Sequence, residues 1–399
     1  MGESMTVRRP IAVLTTGLLC GCILAVAACG SSDAIVTTTE AALTTVTAGI
    51  IEAAATTEAA VTAGTAVTTE TLQLYPVVVG RKLGYMNTQG EMVISPQFED
   101  WPSSQFSEGL APVRVGEKFG YIDTTGAMVV QPQFDIANPF SDGLAAVVGD
   151  NGLWGYIDKT GAVAIPMRYE SPGAFSDGLC TVTVDEGLKG GKLQNEYIDK
   201  TGAVVIGPFE WSAGFSDGLA AVGFGELDAV KWGYMDMTGT MVIKPRFDWA
   251  REFSEGLAAV GFPTNNNAAK WGYIDKTGAL VIQPQFDGAD PFSEGLAVVA
   301  FLQDDAVKYG YIDKTGKVVI QPRFEWAAEF SEGLAAVGTN SGLFGYIDRT
   351  GAFVIPMVRE AQAVYPFSGG LARIDAKTGN GSISPSYLDK TGKVIWQGK

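Results

Sequence analysis

The side chains of this chain that could do chemistry are carboxylates, a handful of cysteines and eight tryptophans; there is no histidine. That absence removes imidazole acid–base catalysis and imidazole metal ligation. The carboxylates occupy two recurring settings. One is an Asp-x-x-Gly step, as in Asp123-Thr124-Thr125-Gly126 and Asp275-Lys276-Thr277-Gly278. The other is Phe-Ser-acid-Gly, as in Phe292-Ser293-Glu294-Gly295, preceded by an acid beside Phe286. Two carboxyls about 5–10 Å apart could cleave a glycosidic bond. Yet both settings return in nearly every segment of the chain, and equivalent acids cannot all be catalytic, so they read as turns. No dense Asp-x-Asp-x-Asp loop is present to hold calcium. No catalytic residue, metal or cofactor is therefore expected, and the chain is expected not to be an enzyme.

The tryptophans divide differently. Trp154, Trp232 and Trp271 stand in a recurring aromatic slot and read as core. Trp101, Trp211, Trp249 and Trp326 follow a Phe-acid or Phe-Glu pair in only some segments. A position that the fold does not demand each time is free for a ligand. Trp211, Trp249 and Trp326 are the candidate ligand-binding residues, a row of indoles suited to neutral sugar or peptide because stacking needs no charge match. The competing reading is that each indole plugs a gap between neighbours.

The elements that must position them are repeats. A Gly-Tyr-Ile-Asp-like step places tyrosines at Tyr85, Tyr121, Tyr156, Tyr197, Tyr234, Tyr273, Tyr311, Tyr346 and Tyr387, a period of about 38 residues. Each unit reads as three strands: Leu257–Val260, Trp271–Asp275 and Ala279–Ile282 in the sixth. They are short apolar runs bounded by Gly and Pro. Asp275 at the turn start and Gly278 three residues on predict a three-residue hairpin with a left-handed Gly. Pro284 ends the third strand, since it cannot donate to a ladder. Phe286 is expected to re-enter the core.

Trp-Gly-Tyr-Ile-Asp-Lys-Thr-Gly, Pro-x-Phe-Asp and Phe-Ser-Glu-Gly-Leu-Ala, in that order over residues 75–399, resemble the bacterial WG-repeat (KWG-repeat) proteins. The resemblance implies a β-repeat architecture and no particular activity. The chain departs from it at Leu83, Phe119, Tyr309 and Phe344 in place of Trp, at Asn195-Glu196 in the fourth unit and at Pro385-Ser386 in the ninth. The expected fold is all-β: a tandem array of about nine three-stranded antiparallel units in an open, twisted solenoid. On this reading the first and last units each own three strands, so no exchange between the ends is needed. The alternative is a closed β-propeller of eight or nine blades.

The N-terminus is different material. Arg8-Arg9 precede an uncharged run from Pro10 to Ala28, the pattern of an export signal. Val26-Ala27-Ala28-Cys29 resembles a bacterial lipobox, which implies residues 1–28 as signal peptide and Cys29 as the lipidated residue. Residues 29–72, rich in Thr and Ala, have too few large apolar side chains to repay ordering and read as a tether. Residues 73–399 form the repeat domain. Only Cys180 lies within it, so no disulfide can form there.

The formal charge of −16 argues against a nucleic-acid partner, which needs a Lys/Arg face, and none is expected. The expectation is a lipid-anchored protein of the bacterial cell envelope whose repeat surface binds a protein or glycan. The membrane is met through the N-terminal lipid. The alternative is an envelope hydrolase acting on cell-wall or polysaccharide substrates.

Overall fold

A computed structural model describes residues 73–185, 193–226, 229–264, 269–303, 306–377 and 383–398. The expected signal peptide and tether, with Cys29, lie outside the described residues. Among those described, all regular structure is β. The sixth unit shows the plan: Trp249–Ser254, Leu257–Pro263, Ala269–Asp275 and Leu280–Phe286 form one antiparallel sheet in chain order. The unit therefore has four strands, not the three expected. The extra one is the Trp-x-x-x-Phe-Ser segment, which carries no clean alternation because its pairing slips between Ala250 and Phe253. Bulged strands of this kind lose the period-two signature.

Inner segments of successive units touch one another, as Trp211–Ser216, Trp249–Ser254, Gly288–Ser293 and Trp326–Ser331 do. They line the axis, and the Val-Ile-x-Pro-x-Phe strands form the rim. Among the described residues six units form an inner strand of this type, while the second and fourth units have three strands and fill the place with a stretch that makes only isolated bridges. The first contributes Tyr75–Val79, Lys82–Met86 and Met92–Glu99.

The units close into a ring, so the open solenoid is corrected to a β-propeller of four-stranded blades. Each turn glycine sits on an aliphatic side chain of the preceding unit's outer strand: Gly126 on Ile94, Gly278 on Ile243, Gly392 on Ile355. The series ends where it began, with Gly90 of the first unit against Ile395 of the last. Tyr75 Oη donates to the carbonyls of Ser368 (2.8 Å) and Gly369 (2.6 Å), and Tyr387 Oη to that of Pro76 (2.9 Å). The argument from complete ends fails for a physical reason: closure comes from packing the first and last sheets side by side, and no strand needs exchanging.

The hairpin reading holds. Gly278 has φ +86°, its N–H donates to Asp275 O (2.9 Å), and Asp275 Oδ1 accepts from Thr277 N, Thr277 Oγ1 and Ala279 N. These bonds, that of the Thr277 hydroxyl foremost, hold the Asp275 carboxyl below the usual range. The Gly of Trp-Gly answers to a different constraint. A Cβ on Gly272 would lie 2.5 Å from Ile282 O, because the outer strand crosses close over it. The fourth unit has Glu196 there and moves the glycine across the pair: Gly207, at φ +127°, leaves room beside the Glu196 Cα.

The core lies between the sheets. The tyrosines Tyr85, Tyr121, Tyr156, Tyr197, Tyr234, Tyr273, Tyr311 and Tyr346 are fully buried. Each reaches the next unit's inner segment; Tyr273 meets Phe292 at 4.9 Å between ring centroids and donates to Asp290 O at 2.8 Å. Such ring pairs add about 0.5–1.5 kcal/mol beyond area burial, and the phenol is satisfied as a buried hydroxyl must be. Phe286 is buried, as expected.

Candidate functional site

The two faces of the ring differ, and the difference locates the site. On one face lie the Asp turns and the Phe-Ser-acid-Gly turns. Here the acids join neighbouring units. Glu255 accepts from Gly295 N of the next unit (3.0 Å) and meets Lys314 Nζ (3.0 Å), while Ser254 Oγ donates to Phe292 O (2.6 Å). The same arrangement joins Glu108 to Gly143 and Lys159, Asp142 to Gly178 and Lys200, and Glu332 to Gly370 and Lys390. The acidic residue takes φ near +52° to do it, as at Glu255 (+53°). These acids stand in turns, as the sequence suggests, and they are also clasps between units, with the Lys of Asp-Lys-Thr-Gly as their partner. The acid after Phe286 is also engaged, since Asp287 pairs with Lys270 at 2.7 Å. Its counterparts Asp135, Asp248 and Glu325 pair with Lys118, Lys231 and Lys308. These repeated carboxylates are structural.

The other face carries the starts of the inner strands and the links between second and third strands. The three candidate tryptophans stand at equivalent places there. Trp249 is 40% exposed and Trp326 37%. Trp211 is half-buried, and its indole N–H is buried without a hydrogen-bond partner among the described residues. Each packs within its own sheet. Trp249 lies over Gly261 beside Trp271, and Trp326 meets Phe344 edge-on at 5.4 Å. Trp101 repeats the contact on Phe119 at 5.0 Å. Neither of the two opposed readings describes them fully: one edge of the indole is packed and, at Trp249 and Trp326, another is open.

Beside them the inner strands bring together residues that sequence reasoning missed. Arg251 and Glu252 come from the sixth unit, Asp290 from the seventh and Glu329 from the eighth. Arg251 Nη2 stands 3.6 Å from Asp290 Oδ1 and its guanidinium lies over Trp271, 5.6 Å from the ring centre. The channel walls push the Asp290 carboxyl up, against the pull of Arg251. Burial, then Asp290 and Glu252, push Glu329 up. Asp290 is crowded by protein, yet 48% of its side chain is open to water. The signal was present in sequence. The residue before the inner Phe is Gln105, Pro139, Ala174, Gly214, Pro291 or Pro366 elsewhere and an acid at Glu252 and Glu329. Without the ring, nothing placed these acids near Asp290.

Among the described residues there is no cluster of three or more metal-ligating side chains, and no helix is long and apolar enough to cross a membrane. Cys180 is buried, with its Sγ 2.9 Å from Tyr156 Oη, and burial pushes its thiol up to about 11. It is an inert core residue, at a place where sister units carry Ala.

A family profile described as a WG containing repeat matches residues 84–119, 119–153, 154–187, 232–261, 271–300, 309–341 and 344–375, more than half of the chain. No curated protein matches. Among solved structures, the chain is similar to one titled as the eukaryotic initiation factor, with 11% identity, TM-score 0.59, and coverage of 82% of this chain and 96% of the other. It also aligns with BamB from Moraxella catarrhalis (13% identity, TM-score 0.35, 80% and 94% covered). Apo AztD from Citrobacter koseri gives 13%, 0.38, and 70% and 91%. At these identities the likeness concerns the fold alone.

Proposed function

The chain belongs to the family of WG-containing-repeat proteins, and from that premise we propose that it is a non-catalytic binding ring of a bacterial cell envelope. A lipid on Cys29 holds it to the membrane, the segment 29–72 tethers it, and the face bearing Trp249 and Trp326 takes a protein or glycan. One observation carries this reading. The residues that escape the repeat, Trp249, Trp326, Arg251, Glu252, Asp290 and Glu329, gather at one face and along the axis, while the repeated acids are consumed in joints. Large, rigid aromatic edges beside a few polar groups are what a binding surface needs. The test is calorimetric titration of the full chain with neutral cell-wall oligosaccharides and with envelope proteins, in the parent and in Trp249→Ala/Trp326→Ala. Binding by the parent that the double variant loses supports the reading. Binding that survives the substitution removes this face as the site. For the anchor, Cys29→Ala should abolish incorporation of labelled fatty acid; unchanged labelling defeats it.

A second reading, an envelope hydrolase acting on polysaccharide, is favoured by the raised carboxyls of Asp290 and Glu329 on neighbouring inner strands. Two carboxyls on adjacent strands, at least one held protonated by burial, are a setting in which a general acid works beside a second carboxyl. Release of reducing ends from cell-wall glycan, lost in Glu329→Gln, would favour it over simple binding.

A further inference from the structure

The joints of the ring are not alike. The sixth and seventh units are held by three elements: Ser254 Oγ to Phe292 O, Glu255 to Gly295 N, and Lys314 to Glu255. At the joint between the fourth and fifth units none of the three forms among the described residues. Ser176 and Asp177 stand in the Ser and acid places, and the position that carries Lys elsewhere is Met237. A thioether cannot answer a carboxylate.

The packing beneath has changed too. Where the joint between the sixth and seventh units places Ala259 and Ala289, this one places Thr181 and Ser212. Thr181 Oγ1 and Ser212 Oγ are buried with no hydrogen-bond partner within normal reach. They face the Tyr197 hydroxyl, whose own proton is given to Ala213 O at 2.6 Å. Burial pushes that phenol up to about 12, and the two hydroxyls draw it back. Hydroxyls that face the Tyr197 oxygen without closing a hydrogen bond of normal geometry cost free energy in a dry contact that two alanines would not, and that cost falls when water enters. This contact is thus weakened twice, by clasps it lacks and by polar groups that favour its opening. The other clasp-poor contacts flank the first unit, where Gly369-Gly370 and Thr88 replace acid and Lys, but Tyr75 and Tyr387 supply bonds of their own there.

We propose that the propeller has a built-in opening joint between its fourth and fifth units, at which the two sheets part and admit water or an inserting polar segment to Thr181, Ser212 and Tyr197 while the ring stays closed elsewhere. Local opening of this kind is a low-energy excursion in an otherwise cooperative fold. It goes beyond the binding face argued above, and its test is independent of any ligand.

The experiment is hydrogen exchange on the full chain under native conditions, read peptide by peptide. Strand segments 193–199 and 211–216 should exchange about tenfold faster than their counterparts 269–275 and 288–293 at the clasped joint, which hold the same places in their sheets, as expected for the loss of roughly one to two net polar contacts. Met237→Lys, which sets a cation opposite Asp177, should slow the first pair about two- to fivefold, the range of a single surface ion pair. The reciprocal Lys276→Met should speed exchange at the joint between the fifth and sixth units by a similar factor. Equal exchange around the ring in the parent would overturn the proposal, as would acceleration by Lys276→Met with no response to Met237→Lys. The measurement on the unaltered protein decides even if a variant fails to fold.

Discussion

The face of the ring that carries Asp-Lys-Thr-Gly and Phe-Ser-Glu-Gly and the face that carries the inner tryptophans are built from the same strands, but sequence treats them oppositely. On the first, the same residues return in unit after unit, and each has a structural partner: Asp275 caps its own hairpin, and Glu255 bridges to Gly295 and Lys314. On the second, Trp249 and Trp326 have no tryptophan counterpart at Gly288, and Glu252 and Glu329 none at Pro291. Repetition within one chain therefore separates what the fold requires from what it leaves free. The most repeated polar residues, which look most like a chemical site, are the ones the architecture has already used.

The largest expected effect falls on closure, which both faces share. Truncation after Gly351 removes the last unit and with it Ile395, Tyr387 and the partner of Tyr75. A closed ring so cut exposes two apolar sheet faces, and the product should be aggregated or unfolded. Recovery of a monomer with the parent's circular dichroism per residue would speak for independent stacking. Next is the repeated Trp-Gly step. Gly272→Ala sets a Cβ 2.5 Å from the Ile282 carbonyl, a backbone atom that cannot swing away. The loss should be about 3 kcal/mol, the upper end of overpacking. Gly278→Val, where the penalty comes from φ +86° and the Ile243 contact, should lose about 2 kcal/mol. Ala279→Val, one residue on in extended chain, should be milder. Denaturant midpoints of the three variants rank them; equal losses at Gly278 and Ala279 would remove the left-handed turn from the argument.

These effects concern parts of the molecule that were legible from residues alone, and the reason is locality. Asp275 to Gly278 decides its own hairpin through bonds no more than four residues apart. Pro284 marks the outer strand because it lacks an N–H. The inner strand was not legible: its bulge between Ala250 and Phe253 breaks alternation, and Gly214, Pro291 and Pro139 break it again. Closure was not legible either, since the contact of Gly90 with Ile395 depends on the accumulated rotation of every sheet between them. Of the site, Trp249 and Trp326 could be found by their irregular recurrence. Arg251, Glu252, Asp290 and Glu329 could not be joined, because their proximity follows from an inner strand that had been read as a connection.

The faces should also respond oppositely to pH. Asp275, Asp313 and Asp348 are held low chiefly by the hydroxyls of Thr277, Thr315 and Thr350. A lowered folded value means stability present above the unfolded pKa of about 4 and lost as pH falls through the folded value. Glu329 is raised, so it opposes folding once ionised, above the same unfolded pKa. Glu329→Gln should therefore raise the melting temperature by about 1–3 °C at pH 7 and leave it unchanged at pH 3. Asp275→Ala should lower it at pH 7 and converge on the parent in acid. A Gln variant with the same gain at both pH values would assign its effect to packing and not to charge.

The smallest effect on stability should come from the binding face itself. Trp249 and Trp326 each keep an edge open to solvent, and removing the packed part leaves a surface that water can fill, unlike a hole in the core. Trp249→Ala/Trp326→Ala should shift the denaturant midpoint by about 1–2 kcal/mol in total, well below what a buried aromatic costs. Trp211 supplies the internal contrast. It occupies the equivalent place in the fifth unit but is more enclosed, with its indole N–H buried. Trp211→Ala alone should cost as much stability as the other two together and change ligand affinity least. Iodide quenching of tryptophan fluorescence gives the matching readout, since loss of Trp249 and Trp326 should remove the most accessible emission. If Trp211→Ala instead abolishes binding while the double variant does not, the ligand enters where the fifth unit begins, and the open edges of Trp249 and Trp326 are solvent-facing packing with no further role.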